Sequence, residues 1–87
     1  MQLLIPESLK NNAGGQKKVK LTANDIEEFK KELKEKENAL YARIYDEKGN
    51  QRKFVNIYLN NNNIKYMENC KIEEDDVLTL ITAVAGG

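Results

Sequence analysis

The sequence predicts an α+β fold, one main helix packed across one face of a four- to five-stranded mixed sheet, and three observations lead there. Only the segment beginning at Thr22 carries apolar residues at sustained helical spacing. Several short runs rich in β-branched and aromatic residues read as strands, Arg52–Leu59 most clearly. The chain is also too short for a second core. With 87 residues, 40% apolar and 32% charged side chains and one proline, it makes one small domain, and such a domain buries roughly 60% of the surface its unfolded chain exposes. A large enclosed active site would consume core that a chain of this length needs.

Residues 2 to 5 are a short apolar run stopped by Pro6, too short for a helix and read as a first strand. Residues 7 to 16 are a polar loop ending in Gly14–Gly15, whose tolerance of positive φ lets the chain reverse. Lys17 to Leu21 return as a second strand, Val19 and Leu21 alternating with Lys18 and Lys20. Thr22 or Asn24 is expected to cap the helix, Thr22 with Asp25 forming a loose capping box. Ile26, Phe29 and Leu33 make its buried stripe, with Leu40 a candidate extension. Glu27, Glu28, Lys30, Lys31, Glu32 and Lys34 take the solvated face, where Glu27 and Lys31 form a favourable i,i+4 pair.

Leu40, Tyr41, Ile44 and Tyr45 suggest a turn or short helix beneath the main helix, followed by a polar loop over residues 46 to 50. In the strand Arg52–Leu59, Val55, Ile57 and Leu59 form one row and Phe54, Asn56 and Tyr58 the other. The four asparagines Asn60 to Asn63 make a turn, because asparagine tolerates the left-handed conformation. Ile64–Tyr66 read as a short returning strand and Val77–Thr82 as the last. This order of elements is that of a β-grasp domain over residues 1–82, although ferredoxin-like variants use similar pieces. Residues 83–87 remain as a flexible C-terminal tail.

Composition narrows function by exclusion. The 14 Lys and Arg cancel the 14 Asp and Glu, which removes the footprint expected of a nucleic-acid binder or polybasic membrane ligand. No histidine is present and there is one cysteine, so Ser-His-Asp and Cys-His catalysis, imidazole metal sites and an internal disulfide are all unavailable. The N-terminus has no basic region ahead of its apolar run, and no stretch of about 18 apolar residues follows. The chain is therefore expected to be a soluble, cytoplasmic protein and not an enzyme.

The chemistry lies at the C-terminus. Two terminal glycines occur by chance in roughly 0.5% of chains, given an average glycine content of about 7%, so the pair calls for a reason. A Gly86–Gly87 end can thread a narrow channel and present its α-carboxylate to a partner's active site. Five extended residues reach about 17 Å, enough to enter a pocket while the body docks outside. A carboxylate is a poor electrophile, so transfer requires activation, most naturally as an acyl-adenylate made from ATP, from which a sulfur or amine nucleophile displaces AMP. The bland alternative is a frayed terminus.

The ending Ala83-Val84-Ala85-Gly86-Gly87 resembles that of the ubiquitin-like sulfur carriers of the MoaD/ThiS family, and the likeness extends inward. Ile5-Pro6 with Leu9, Gly14-Gly15-Gln16-Lys17 with Val19, and Arg43 with Asp46 before a glycine all resemble the type that serves cysteine biosynthesis. So do Phe54-Val55-Asn56-Ile57-Tyr58 followed by Asn60, and the acidic Asp75–Asp76 before the last strand. One departure is Thr82, where such carriers commonly have proline.

The resemblance implies a protein that is itself a substrate. An E1/MoeB-like adenylyltransferase would activate Gly87 with ATP, and a sulfur source would convert its carboxylate to a thiocarboxylate. In the cysteine pathway that group adds to an aminoacrylate formed from an activated serine on a pyridoxal-phosphate enzyme, a sulfhydrylase or cysteine synthase. The product rearranges to a peptide-linked cysteine, and a zinc metallopeptidase releases it. ATP, pyridoxal phosphate and zinc would belong to those partners, since the chain offers no ligand set for a metal or cofactor of its own.

If the ubiquitin-like topology holds, Leu78 and Leu80 face the helix with Val55, Ile57 and Leu59. Thr79 and Ile81 then share the open sheet face with Phe54 and Tyr58, next to the tail residues Ala83, Val84 and Ala85. These seven are the expected partner-binding residues, as an exposed apolar patch beside the reactive end would dock the activating enzyme. A competing reading has Phe54 and Tyr58 merely covering the sheet. Cys70 lacks a histidine to activate it and reads as a small, partly buried apolar side chain. Glu73–Asp76 lack the alternating ligands of a calcium loop and read as a solvated turn. Gly14–Gly15 precede a strand and not a helix, so they make a turn and not a phosphate loop. Two other functions stay open: a protein modifier joined to lysines through Gly87, and a β-grasp interaction domain with an accidental ending. Cysteine, homocysteine, a thiocarboxylate metabolite, thiamin and molybdopterin are all candidate destinations of the sulfur.

Overall fold

The computed structural model describes residues 1–83. In chain order its elements are β1 (Gln2–Leu4), β2 (Lys18–Lys20), α1 (Ile26–Lys36), α2 (Asn38–Ile44), β3 (Val55–Leu59), β4 (Asn62–Asn63) and β5 (Val77–Thr82), with short 3₁₀ segments at Glu7–Ala13 and Ile64–Tyr66. Strand alternation sets which side chains turn inward. Leu3 and Val19 are the buried middle residues of β1 and β2 and lie opposite each other in an antiparallel pair. Leu3 also pairs in parallel with Leu78, and Ile57 pairs with Leu80 across the antiparallel β3–β5 ladder. The five strands run β2-β1-β5-β3-β4, so the last strand sits at the centre.

The helices close the inner face of that sheet. Phe29 and Leu33 of α1, Leu40 and Ile44 of α2, and Leu3, Ile57, Leu78 and Leu80 of the sheet are almost completely excluded from water. A helix packed on a five-stranded mixed sheet of this order is the β-grasp fold, as the sequence predicts.

Local differences from the sequence reading have physical causes. The polar loop expected over residues 7–16 contains a 3₁₀ segment that buries Leu9 and Ala13 and ends on Gly14 at φ 65°. Its two inward side chains are separated by polar residues that hide the pattern. Neither Thr22 nor Asn24 caps α1; Asp25 does, its Oδ1 accepting from the Glu28 amide at 2.8 Å. Thr22 is engaged elsewhere, because its amide and hydroxyl both donate to the Glu32 carboxylate. Glu32 is correspondingly not on a solvated face: it is buried, and also accepts from the Ala23 amide and the Lys36 ammonium. Among the described residues Glu32 pairs with Lys36 and Glu7 with Lys10, and the expected Glu27–Lys31 pair is not formed.

Leu40 belongs to α2, since α1 ends before it. β3 begins at Val55 and not at Arg52, because the Val55 amide donates back to the Arg52 carbonyl at 3.2 Å and turns the chain there. Ile64–Tyr66 is a 3₁₀ turn, and the returning strand is Asn62–Asn63 instead. Asn60 takes φ 58°, and the Asn63 side chain caps the turn by accepting from the Lys65 amide.

Candidate functional site

β5 carries the chain from the acidic turn at one end of the sheet to the root of the tail at the other. Where it ends, the Ala83 amide donates to the Phe54 carbonyl at 2.8 Å, one step beyond the Val55–Thr82 pair of the ladder. The Thr82 and Ser8 hydroxyls meet at 2.8 Å on the surface. Ala83 itself is exposed. Val84, Ala85, Gly86 and Gly87, the remaining tail residues of the candidate site, lie outside the described residues.

The register places the other predicted residues. Tyr58 pairs with Thr79, and Thr79 with Leu4, so these three form one row across β3, β5 and β1 on the face turned away from the helices. Asn56 and Ile81 form the next row toward the tail, and the Asn63 side-chain amide donates to the Asn56 side-chain Oδ1 at 3.2 Å, tying the edge of this face together. Ile81 is 45% exposed and Leu4 36%, whereas Tyr58 and Thr79 are half-buried. Sequence reasoning missed Leu4. Its signal was available in the alternation: with Leu3 committed to the core, its neighbour must point the other way.

Phe54 is 51% exposed and stands in the turn before β3. There it walls a surface depression of about 510 Å³ together with Leu9, Arg43 and Ala83. Phe54 and Ile81 are thus both exposed apolar side chains near the point where the tail begins.

The remaining candidate groups are structural. Cys70 is buried, which pushes its thiol pKa up, with the Asp76 carboxylate adding to the effect; a thiol kept protonated is a poor nucleophile. Asp76 closes the acidic turn by accepting from the Glu73 amide at 2.7 Å, while Glu73, Glu74 and Asp75 are exposed. Gly14 and Gly15, at φ 65° and 82°, make the turn before β2. No cluster of three His, Cys, Asp or Glu side chains placed to hold a metal occurs among the described residues. Nor is any described helix long and apolar enough to cross a membrane.

A sheet ending in an exposed tail root beside apolar surface is the arrangement a carrier domain needs, and comparison with known proteins decides the family. The family model described as "ThiS family" matches residues 3–87. The chain belongs to the ThiS family. It is 30% identical over 87 residues to the sulfur carrier protein CysO of Mycobacterium tuberculosis, covering 95% of this chain and 94% of that protein. The crystal structure of Mycobacterium tuberculosis CysO superposes with a TM-score of 0.83 at 26% identity, over 95% of this chain and 98% of that one. The Amycolatopsis orientalis BexX/CysO complex gives 0.85 at 26% identity, over 99% of this chain and 98% of the matched chain. As a CysO-like member of the ThiS family, the protein is a sulfur carrier, a cosubstrate of other enzymes with no catalysis of its own.

Proposed function

We propose that this ThiS-family protein carries sulfur as a thiocarboxylate on Gly87 and delivers it to the synthesis of cysteine or a related sulfur amino acid. The carrying observation is that the family match runs to residue 87 and so takes in the whole Gly-Gly ending. The full-length likeness to CysO supports the amino-acid destination.

In the chemistry this implies, a Gly87 carboxylate oxygen attacks the α-phosphorus of ATP on an E1/MoeB-like adenylyltransferase and pyrophosphate leaves. A sulfur nucleophile then displaces AMP from the acyl carbon, leaving C–S in place of C–O. The body contributes recognition: Ile81, Thr79, Tyr58 and Phe54 are the surface we assign to the enzymes that hold it, with Ala83, Val84 and Ala85 spanning the distance to the reacting carbonyl. ATP, and the pyridoxal phosphate and zinc of the accepting sulfhydrylase or synthase and the metallopeptidase, are bound by those partners.

The test is intact-mass analysis after incubation with the adenylyltransferase, ATP and sulfide. Replacement of one C-terminal oxygen by sulfur is expected. Lysine-linked adducts would make the protein a modifier instead, and an unchanged mass with an enzyme that turns over ATP on this chain would sink the thiocarboxylate.

A further inference from the structure

The depression at the tail root has a charge that neither the composition nor the apolar patch accounts for. Its walls carry Arg43 from the end of α2 and Arg52 and Lys53 from the turn before β3, beside the apolar Leu9 and Phe54, and no carboxylate among the described residues lines it. All three cations are exposed, and none is in an ion pair among the described residues. Arg52 is held in place, its Nε donating to the Ala42 carbonyl at 2.9 Å. The chain as a whole is neutral, so this positive charge is compensated elsewhere. Glu73, Glu74, Asp75 and Asp76 precede β5, whose six residues separate Asp76 from Ala83 by about 23 Å. One end of the central strand is acidic and the other basic.

The tail begins at the basic end, and Ala83 is part of the groove wall. Four residues follow it, and at full extension they span about 14 Å. Whatever protein closes around Gly87 must therefore bring the rim of its pocket to within about 14 Å of this groove. Like charge on that rim would oppose docking, and opposite charge would both steer the encounter and fix its orientation.

We propose that the groove formed by Arg43, Arg52 and Lys53 docks an acidic segment at the mouth of the enzyme that receives the tail. This inference rests on the sulfur-carrier reading and adds the partner's chemistry to it. An apolar side chain on the same segment would pack beside Leu9 and Phe54, and the carboxylates would meet the three cations.

The experiment measures pyrophosphate exchange by the E1/MoeB-like adenylyltransferase of the same genome, with the full chain as substrate. The triple variant Arg43→Glu/Arg52→Glu/Lys53→Glu is expected to raise KM about tenfold or more, with kcat within about twofold, the pattern of lost encounter and docking. A control triple at exposed cations away from the groove, Lys31→Glu/Lys48→Glu/Lys65→Glu, has the same net charge and should leave KM unchanged. Because Arg52 also holds the turn, the milder Arg43→Gln/Lys53→Gln pair serves if the triple does not fold, with about a threefold rise in KM expected. In both cases the decline of kcat/KM with added salt should be steep for the unaltered chain and shallower for the variant.

If the unaltered chain supports no exchange, the sulfur-carrier reading fails and the docking proposal falls with it. If exchange is normal and the groove variants match the control triple, the groove proposal alone is overturned. Binding of transfer RNA that the triple variant loses while its KM stays unchanged would also overturn it, by showing that the groove serves a nucleic acid.

Discussion

At the corner where β2 leads into α1, the buried Glu32 carboxylate accepts from the amides of Thr22 and Ala23, the Thr22 hydroxyl and the Lys36 ammonium. At the end of β5 the described contacts are one backbone bond from Ala83 to Phe54 and one exposed hydroxyl pair between Ser8 and Thr82. The first corner is over-determined, and removing any one partner leaves a buried charge to be satisfied. The second is held by little more than the ladder itself. Under the proposed function, a body recognised as a rigid shape uses the former and a terminus that enters another protein uses the latter, which places the stability-bearing corner and the proposed reactive end at opposite ends of the sheet.

The sharpest way to break that comparison is to delete Gly87. Sulfur loading, read by intact mass, is expected to vanish, while the thermal midpoint stays within about 1 °C because the core closes with Leu80. A fall of several degrees would show that the end of the chain holds the body together. Next in size is the core that both ends share. Phe29→Ala empties a fully buried position and should cost about 3–5 kcal/mol in a urea titration, close to the whole stability of so small a domain.

Glu32→Ala leaves the Thr22 and Ala23 amides without their acceptor and should cost about 2–3 kcal/mol, with sulfur loading of the folded fraction retained. The same carboxylate gives a pH signature. Burial pushes its pKa up, but the hydrogen bonds from Lys36 and Thr22 together outweigh that and hold it below the ordinary 4.5. A group whose folded pKa is depressed stabilises the fold above its unfolded pKa, and that contribution is lost as pH falls through the folded value. Between pH 7 and pH 3 the unaltered protein should therefore lose more stability than Glu32→Gln, and parallel pH curves would show that Glu32 does not carry the effect. Smallest of all is Ser8→Ala at the tail root, expected to change stability by no more than about 0.5 kcal/mol because water replaces an exposed hydroxyl partner.

The same contrast explains what could be read from the sequence. The inward and outward rows of β1, β2, β3 and β5 and the α1 stripe are legible because alternation and helical spacing are properties of the chain itself: Val55, Ile57 and Leu59 turn inward, and Thr79 and Ile81 turn outward, as their spacing requires; the two-residue β4 is too short to show such a pattern. Glu32 was not legible, since a glutamate within a charged run announces nothing about the distant amides that will surround it. The cap at Asp25 was obscured for a related reason, Thr22 being diverted to that carboxylate. Leu9 and Ala13 were hidden in a polar stretch, and the groove at Ala83 exists only because α2 and the turn before β3 meet there. Local pattern specifies elements; contacts between elements specify corners and grooves.

The strand order has a consequence for synthesis. The central strand of the sheet is the last to leave the ribosome, and until it arrives β1 and β3 have no common neighbour and the inner face lacks Leu78 and Leu80. A nascent or truncated chain cannot close its core. Because β5 both completes the inner face and leads directly into the tail root at Ala83, a chain cut short before β5 loses the fold and the tail root together.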